Sequence, residues 1–568
     1  MTLKNPIVLE TNYRKDGIEN LELPNGESDV ILKYPTVYIV NDEKKHGFDV
    51  YVGETNNIRN RTAQHLQERR EDWERLGSSK TAKLTIIGHH HFNKSLTLDI
   101  ENRMRLYLSA VDSVFRLNNR RGNPQGVYYT SEEADEIFEA VWDELHTENA
   151  KLFPSREDVE KSALFKSSPF HQLTDEQLAN KEILLDKMFD VMRREIPHQL
   201  IMVEGAAGTG KTVLLSSFFF DLLALADSNS GMNSKKIALL VNHNEQLKVY
   251  KSIAKKLNIK DAVIEKPNSF FKKYIEKGEV FDAVIVDEGH LLATRNGQAF
   301  PKSYGKTHLE AIQKMAKVTV LVYDMKQALT SEQYFPIKKF QDMRAHVEQD
   351  GNLLILKNQM RIAAEPQTLD WLNDFVYGHQ VNPIPSDETY DLRIFDDPQS
   401  MYEEIQRKAK KSNSRLSRML ASYDWEWNLN ENRDMVQAGD FKQPWNYHYT
   451  KQSSAVSWAE NPESIKEVGS TFTIQGFDLH YAGVILGKSV KYRDGKVIFD
   501  PDASFSKKGK QKPNKADAPE EEKEQAPIKN LNNELNVLLS RGVNGLYIYA
   551  VDEALQQKLM EAYSKRNY

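Results

Sequence analysis

The segment VEGAAGTGKTVLL, residues 203–215, constrains this 568-residue chain more than any other. It sets Gly205, Gly208 and Gly210 ahead of Lys211 and Thr212 in the spacing Gly-x4-Gly-Lys-Thr. The apolar run QLIMVEG (199–205) precedes it and a helix-like stretch follows. A strand that turns through glycines into a helix aims backbone N–H groups and the positive end of a helix dipole at one point, which is a phosphate site. Average composition produces such a match by chance roughly 0.02 times in a chain this long. Lys211 is expected to reach the β/γ-phosphates of ATP, and Thr212 to ligate its Mg²⁺.

Other apolar runs repeat at intervals after residue 170: KIALLVN (236–242), FDAVIVDE (281–288), KVTVLVYD (317–324) and GNLLILKN (351–358). Continuous apolar runs separated by helical patterns mean parallel strands covered on both faces, so doubly wound α/β is expected. YAGVILG (481–487) and GVNGLYIYAVD (542–552) repeat the theme nearer the C-terminus. FDAVIVDE ends in Asp287 and Glu288, 76 residues beyond Lys211. Asp287 is expected to complete the Mg²⁺ site and Glu288 to orient the attacking water.

Residues 34–125 read differently. TVYIV (36–40) and VYVG (50–53) form a hairpin pattern, and AKLTIIGHHHF (82–92) a third strand. Ile100, Met104, Leu108 and Val111 recur at helical spacing over 96–111. In YVGETNNIRNRTAQH (51–65), glycine ends a strand, Asn56 and Asn57 are N-cap types, and Arg61 and His65 share one helix face. His89, His90 and His91 would alternate faces on a strand, so they are read as a strand edge and not as one metal site.

Composition excludes several classes. The chain has no cysteine, so disulfides and thiolate zinc sites are ruled out and a reducing compartment fits. The longest apolar run, VLLSSFFFDLLALA (213–226), is too short to span a bilayer, and the N-terminus has no signal-peptide core, so a cytoplasmic protein with no membrane partner is expected. Net charge is -6, with 76 basic and 82 acidic residues, so a nucleic-acid surface must be local. The expected organisation is a lead-in (1–33), a small α+β domain (34–125), an acidic helical connector (126–169), a first lobe (170–345) and a second lobe (346–568). SKKGKQKPNKADAPEEEKEQAP has almost no large apolar residues, so about 503–527 is read as a disordered loop.

From LTDEQ (173–177) onward the chain resembles a superfamily 1 DNA/RNA helicase core, specifically the Schlafen group III-like helicase domain. That resemblance implies two RecA-like lobes with ATP between them. It makes Gln177 the adenine-reading glutamine, LVNHNEQ (240–246) a motif on the nucleic-acid side, and Gln327 of VYDMKQAL a γ-phosphate sensor. Arg361 of LKNQMRI and Arg541 of LLSRGVNG are implied as arginine fingers. Gln475 and Gly476 of TFTIQGFD belong to a nucleotide-contacting signature, with Asp478 where glutamate is usual. Gly289 stands where alanine is commoner.

TVY, YVG, Arg61, His65 and Glu101 in turn resemble the GIY-YIG nuclease domain over residues 34–125. The resemblance implies that Glu101 holds one Mg²⁺ or Mn²⁺ against a phosphate oxygen. Arg61 stabilises the transition state, Tyr38 or Tyr51 positions or deprotonates the water, and His65 relays a proton. Asn118 or Asn119 matches the closing asparagine. The expected activity is an ATP-dependent motor fused to a metal-dependent endonuclease acting on nucleic acid, DNA in preference to RNA. Anti-phage or foreign-DNA defence is the expected setting, with room for a partner protein of such a system. The rival reading is a nucleotide-gated switch that senses a partner or RNA and controls the nuclease without translocating.

Overall fold

The computed structural model describes residues 4–14, 17, 28–118, 129–160, 162–166, 168–171, 173–194, 197–206, 208–227, 236–259, 262–294, 305–330, 333, 335–357, 362–411, 414–428, 434–446, 458–474, 477–513 and 519–566. They form two compact units. One comprises Met1–Leu185, Thr212–Lys235 and Lys248–Ile264, the other Asp186–Lys211, Lys236–Leu247 and Glu265–Tyr568.

The first unit is built on strands β1 (Ile7–Asn12), β2 (Thr36–Lys44), β3 (Gly47–Thr55), β4 (Lys83–Gly88) and β5 (Val114–Asn118) in the order β1-β4-β2-β3-β5. The β2–β3 hairpin runs in register from Thr36 opposite Thr55 to Lys44 opposite Gly47, and β5 pairs parallel to β3. Helix α1 (Ile58–Gln67) is started by Asn57, whose side chain accepts from Asn60 N–H at 3.0 Å. Helix α2 is Glu71–Gly77. Tyr38, Tyr51, Trp73 and Leu76 share one core with Val40, Ile58, Leu84 and Ile86, which fastens α1 and α2 over the hairpin. Helix α3 (Lys94–Ala110) packs on β3 and β5.

Helix α4 (Ala134–Glu148) is more than a connector. It buries Ile137, Phe138, Val141, Trp142 and Leu145, and Phe138 and Trp142 stand 4.8 and 4.9 Å from the Tyr107 ring of α3. Burial at about 1.5–3 kcal/mol per large side chain makes α4 an outer layer of this unit. The three histidines are not on a strand, because β4 stops at Gly88. His89 is buried with Nε2 2.8 Å from the Lys4 carbonyl, and His91 Nδ1 lies 2.5 Å from Glu133.

The second unit carries two parallel sheets. Strands β6 (Gln199–Gly205), β7 (Ile237–Val241), β8 (Phe281–Asp287), β9 (Ala316–Tyr323) and β10 (Leu353–Leu356) pair in the order β10-β6-β9-β8-β7. Each reads as a short apolar run because both faces are covered. The pairing of β10 with β6 carries this sheet past the expected lobe boundary at residue 345. Strands β11 (Asp391–Ile394), β12 (Ser417–Ala421), β13 (Val468–Gly469), β14 (Leu479–Leu486) and β15 (Gly542–Ala550) form the other sheet in the order β11-β15-β14-β12-β13, again parallel throughout. Helix α5 (Lys211–Asp227) follows the glycine loop in the sequence and from Thr212 onward belongs to the first unit. Helix α6 (Glu520–Leu539) replaces the C-terminal part of the expected disordered loop. Glu520, Glu521 and Glu522 suit its N-terminal dipole, and Leu531, Leu535, Leu538 and Leu539 anchor it in the core, which outweighs the cost of Pro527. Residues 514–518 of that loop lie outside the described residues.

Candidate functional sites

The hairpin brings the first set of expected residues together. Tyr38 of β2 and Tyr51 of β3 stack with ring centroids 6.1 Å apart, and His65 of α1 lies 6.0 and 5.7 Å from them. Gly53 allows this approach. A methyl group there would stand 2.5 Å from the Tyr38 hydroxyl and 2.9 Å from the Tyr51 ring. Glycine in the YVG triplet is therefore a packing requirement, in addition to ending the strand. The charge of Arg61 acts on Tyr38 and that of Glu101 on Tyr51, so the five expected residues lie around the hairpin. Glu101 is buried on α3 one turn before the buried Arg105, whose positive charge it favours.

Burial pushes both phenols above their ordinary range. For Tyr38 the neighbouring Tyr51 adds to the rise and Arg61 opposes it; for Tyr51 the opposing charges are Arg70 first and then Arg61. At neutral pH the phenols are protonated, which suits them to orienting a water and opposes a resting role as base. His65 departs from the expected proton relay. It is 1% exposed and stacked 3.6 Å from Trp73, and burial and the charge of Arg61 push it down to about 3. The ring is uncharged at neutral pH and packs the tyrosines.

Asn118, opposite Tyr51 in the β3–β5 register, donates to Asp49 Oδ1 and to the Val50 carbonyl, both at 2.8 Å, and accepts from Arg75 at 3.2 Å. It locks the strand that carries Tyr51. Asn119 lies outside the described residues. Among the described residues no group of three or more His, Cys, Asp or Glu gathers as a metal-binding cluster. A single buried carboxylate fits an ion whose remaining ligands come from substrate phosphate and water.

The second site forms where β6, β8 and β9 end. Gly205 closes β6, and Gly208 and Gly210 follow with φ of 87° and 73°. Lys211 Nζ donates to the carbonyls of Gly205 and Ala206 at 2.7 and 2.8 Å and faces Asp324 at 3.6 Å. Thr212 follows Lys211 in the first turn of α5. Asp287, at the end of β8, accepts from Gln246 at 2.7 Å. Gln246 therefore addresses the carboxylate, although its motif was expected on the nucleic-acid side. Glu288 holds φ 51°, a strained value for a residue with a side chain, and its Oε2 lies 3.3 Å from His290 Nε2. Burial lowers the His290 pKa, so that ring is neutral at pH 7. Gly289 is required here, because a methyl would meet the Val322 carbonyl at 2.8 Å and press on Leu321. Alanine, the commoner residue in the motif, does not fit this packing.

Asp324 was not among the expected residues. It is buried beside Lys211 and accepts from Gln327 at 2.6 Å; burial raises its carboxyl, but the Lys211 charge and the Gln327 bond outweigh that and hold it below its ordinary value. The available signal was an acidic residue ending an apolar parallel strand, the pattern that flagged Asp287. Helix α6 grips the same loop: Asn533 donates to the Ala328 carbonyl at 2.7 Å and Asn536 to that of Lys326 at 3.2 Å. Arg541 is 1% exposed and donates to the carbonyls of Val537 and Phe477 at 2.8 and 3.3 Å, and its charge acts on His243 and His290. Gln177 caps the helix Asp175–Arg194 by accepting from Thr174 N–H at 3.1 Å. Arg361, Gln475 and Gly476 lie outside the described residues. No helix among the described residues is long and apolar enough to cross a membrane.

Comparison with known proteins finds a domain at each place. Residues 34–114 match the GIY-YIG catalytic domain and residues 198–552 the Schlafen group 3 DNA/RNA helicase domain. The chain is 34% identical over 429 residues, 68% of its length, to the uncharacterized protein YPL245W of Saccharomyces cerevisiae, and spans 91% of that protein. A crystal structure of the Pif1 helicase from Candida albicans matches at 15% identity and a TM-score of 0.22, over 42% of this chain and 55% of that one. The helicase match covers more than half of the chain, and a GIY-YIG catalytic domain precedes it. This chain therefore belongs to the Schlafen group 3 DNA/RNA helicase domain family, in a form that joins the helicase domain to a GIY-YIG nuclease domain.

Proposed function

We propose that this chain is an ATP-driven nucleic-acid motor that delivers a strand to its own divalent-metal-dependent endonuclease. The observation that carries the reading is the gathering of Tyr38, Tyr51, Arg61 and Glu101 around the β2–β3 hairpin, in a chain that also sets Asp324 beside the glycine-loop Lys211 and Gln327. In the nuclease, Glu101 would hold Mg²⁺ or Mn²⁺, which supplies charge neutralisation at the phosphate. The tyrosine hydroxyls orient the attacking water. Its oxygen bonds to phosphorus as its proton leaves to solvent, the bond to the leaving strand oxygen breaks and that oxygen takes up a proton from solvent, and Arg61 meets the charge that develops. In the motor, Lys211 would bind the β/γ-phosphates in place of its two carbonyls, Thr212 and Asp287 are the residues that would hold the Mg²⁺ of ATP, and Glu288 would orient the hydrolytic water. Arg541 approaches once it releases its own carbonyls, which links nucleotide state to movement of the second lobe. The division we propose keeps α4 with the nuclease and extends the first lobe through β10. DNA is the favoured substrate, and defence against foreign DNA the favoured setting.

The test is cleavage of labelled DNA and RNA with Mg²⁺, with and without ATP, by wild type, Glu101→Ala and Lys211→Ala. Cleavage that Glu101→Ala abolishes and that needs ATP through Lys211 supports the coupled reading. ATP hydrolysis without cleavage of either nucleic acid would overturn it. Cleavage triggered equally by a non-hydrolysable ATP analogue would replace the motor with a nucleotide-gated switch.

A further inference from the structure

The nuclease site holds a second arginine outside the motif. Arg70 precedes α2 as its N-cap residue, nineteen residues after Tyr51 and nine after Arg61. Its guanidinium lies 5.8 Å from the centroid of the Tyr51 ring and 5.4 Å from that of Trp73. Nε and one terminal nitrogen form a two-pronged bond with Asp72, both prongs at 2.6 Å. That fork fixes the plane of the guanidinium and leaves the other terminal nitrogen uncommitted to Asp72. The side chain is 49% exposed, so its outer edge faces solvent while its inner face covers buried aromatics. Arg61 addresses Tyr38, and Arg70 is the leading positive charge acting on Tyr51.

We propose that Arg70 is a positioning residue of the nuclease, holding Tyr51 through a guanidinium–phenol contact and adding a second positive charge where the phosphodiester enters. The inference rests on the nuclease reading above. Each motif tyrosine then has its own arginine, Tyr38 with Arg61 and Tyr51 with Arg70. The stack of His65, Trp73 and Tyr51, with neighbouring rings 3.6 and 4.1 Å apart, carries the guanidinium on a rigid aromatic base. Two cations flanking a water-orienting phenol make a site for a negatively charged phosphorus centre, and Arg suits it because a planar fork can bind Asp72 and an oxygen together. The charged and titratable groups that face Arg70 are Asp72, Tyr51 and His65, and those around Tyr51 besides Arg70 are Glu101, Arg61, Arg105, Tyr13, Tyr38 and His65.

The experiment compares wild type, Arg70→Gln, Arg70→Lys and Asp72→Asn in Mg²⁺-dependent cleavage of a labelled oligonucleotide across pH 7–11.5, a range that reaches above the ordinary phenol value, with ATP hydrolysis measured on the same preparations. Arg70→Gln should lower kcat about 10- to 100-fold with a smaller change in KM, the scale of a misplaced catalytic geometry. It should also move the limb of the pH profile belonging to Tyr51 to higher pH, because the strongest charge favouring the phenolate is gone. Arg70→Lys should restore the position of that limb and only part of the rate. Asp72→Asn, which loosens the fork but keeps the arginine, should leave the limb in place. ATP hydrolysis should be unchanged in all of them. Wild-type kcat and pH profile in Arg70→Gln would overturn the inference alone, as would an Asp72→Asn variant that reproduces Arg70→Gln in full, since Arg70 would then be only a helix-capping ion pair. A wild-type protein with no Glu101-dependent cleavage would remove the nuclease reading and this inference with it.

Discussion

Replacing Gly53 with alanine tests whether the two tyrosines are held for chemistry. The added methyl would sit 2.5 Å from the Tyr38 hydroxyl, 2.6 Å from Tyr38 Cζ and 2.9 Å from Tyr51 Cε1. Relaxed contacts lie near 3.5 Å, so Tyr38 must retreat by about 1 Å and Tyr51 by about 0.6 Å. Tyr38 is 2% exposed and Tyr51 4% exposed, within a core that includes Trp73, Ile58 and Leu84, so neither ring has open space to enter. Overpacking of this kind costs about 1–3 kcal/mol of stability. A misplacement of about 1 Å costs on the order of 100-fold in rate, equivalent to about 2.7 kcal/mol of barrier. Gly53→Ala should therefore cleave about 100-fold more slowly, with ATP hydrolysis retained. Gly77→Ala in the same unit is the control, because its methyl would meet only Leu66 Cδ2 at 3.4 Å. The readouts are single-turnover cleavage, ATP hydrolysis and calorimetric unfolding of each variant. Cleavage by Gly53→Ala within twofold of wild type, in a folded protein, would refute the claim that these phenols are positioned catalytic groups.

Further outcomes follow from the second unit. Lys211→Ala should abolish ATP hydrolysis and also destabilise the unit by roughly 3–5 kcal/mol, since Asp324 keeps a buried charge without the ammonium opposite it. The Lys211→Ala/Asp324→Asn double variant should regain part of that stability in calorimetry and none of the activity; equal stability of the two would show that the pair carries no coupling. Gly289→Ala should lower the calorimetric transition, with an overpacking cost of about 1–3 kcal/mol against the Val322 carbonyl, and an unshifted transition would refute the contact. Glu534 is fully buried in α6, where desolvation and then the neighbouring Asp424 push its carboxyl from 4.5 up to about 8. The folded chain keeps a proton that the unfolded chain releases between those values. Its contribution to stability is complete below pH 4.5 and is lost as pH rises to about 8, by at most about 5 kcal/mol. Glu534→Gln should flatten the fall in stability from pH 5 to 8; an unchanged slope would refute the shift.

Much of the architecture was legible because it is encoded locally. The glycine loop, the strand before it and the helix after it depend on neighbouring residues, so Gly205, Lys211 and Asp287 fell where periodicity and turn chemistry placed them. The β2–β3 hairpin was legible for the same reason, and it is the hairpin that pairs Tyr38 with Tyr51. Helix α4 was harder: its acidic surface reads as a solvated connector, and only the Tyr107 face of α3 reveals what its apolar stripe covers. The 503–527 stretch misled through composition, since the leucines that hold α6 in place lie beyond it.

What the sequence by itself determined was the set of reactive groups and their order along the chain, because motif chemistry resides in short spacings. What only the tertiary structure decided was which groups meet. Asp324 reaches Lys211 across 113 residues because β6 and β9 are neighbours in a parallel sheet. Gly53 must be glycine because of where two aromatic rings pack, and Asn118 becomes the lock on Tyr51 through strand register. Arg70 has no motif and no spacing to announce it, and it enters the site only because α2 folds over the hairpin and buries Trp73 beneath it. Local propensity is written residue by residue, whereas these contacts depend on how whole elements exclude water from a shared core.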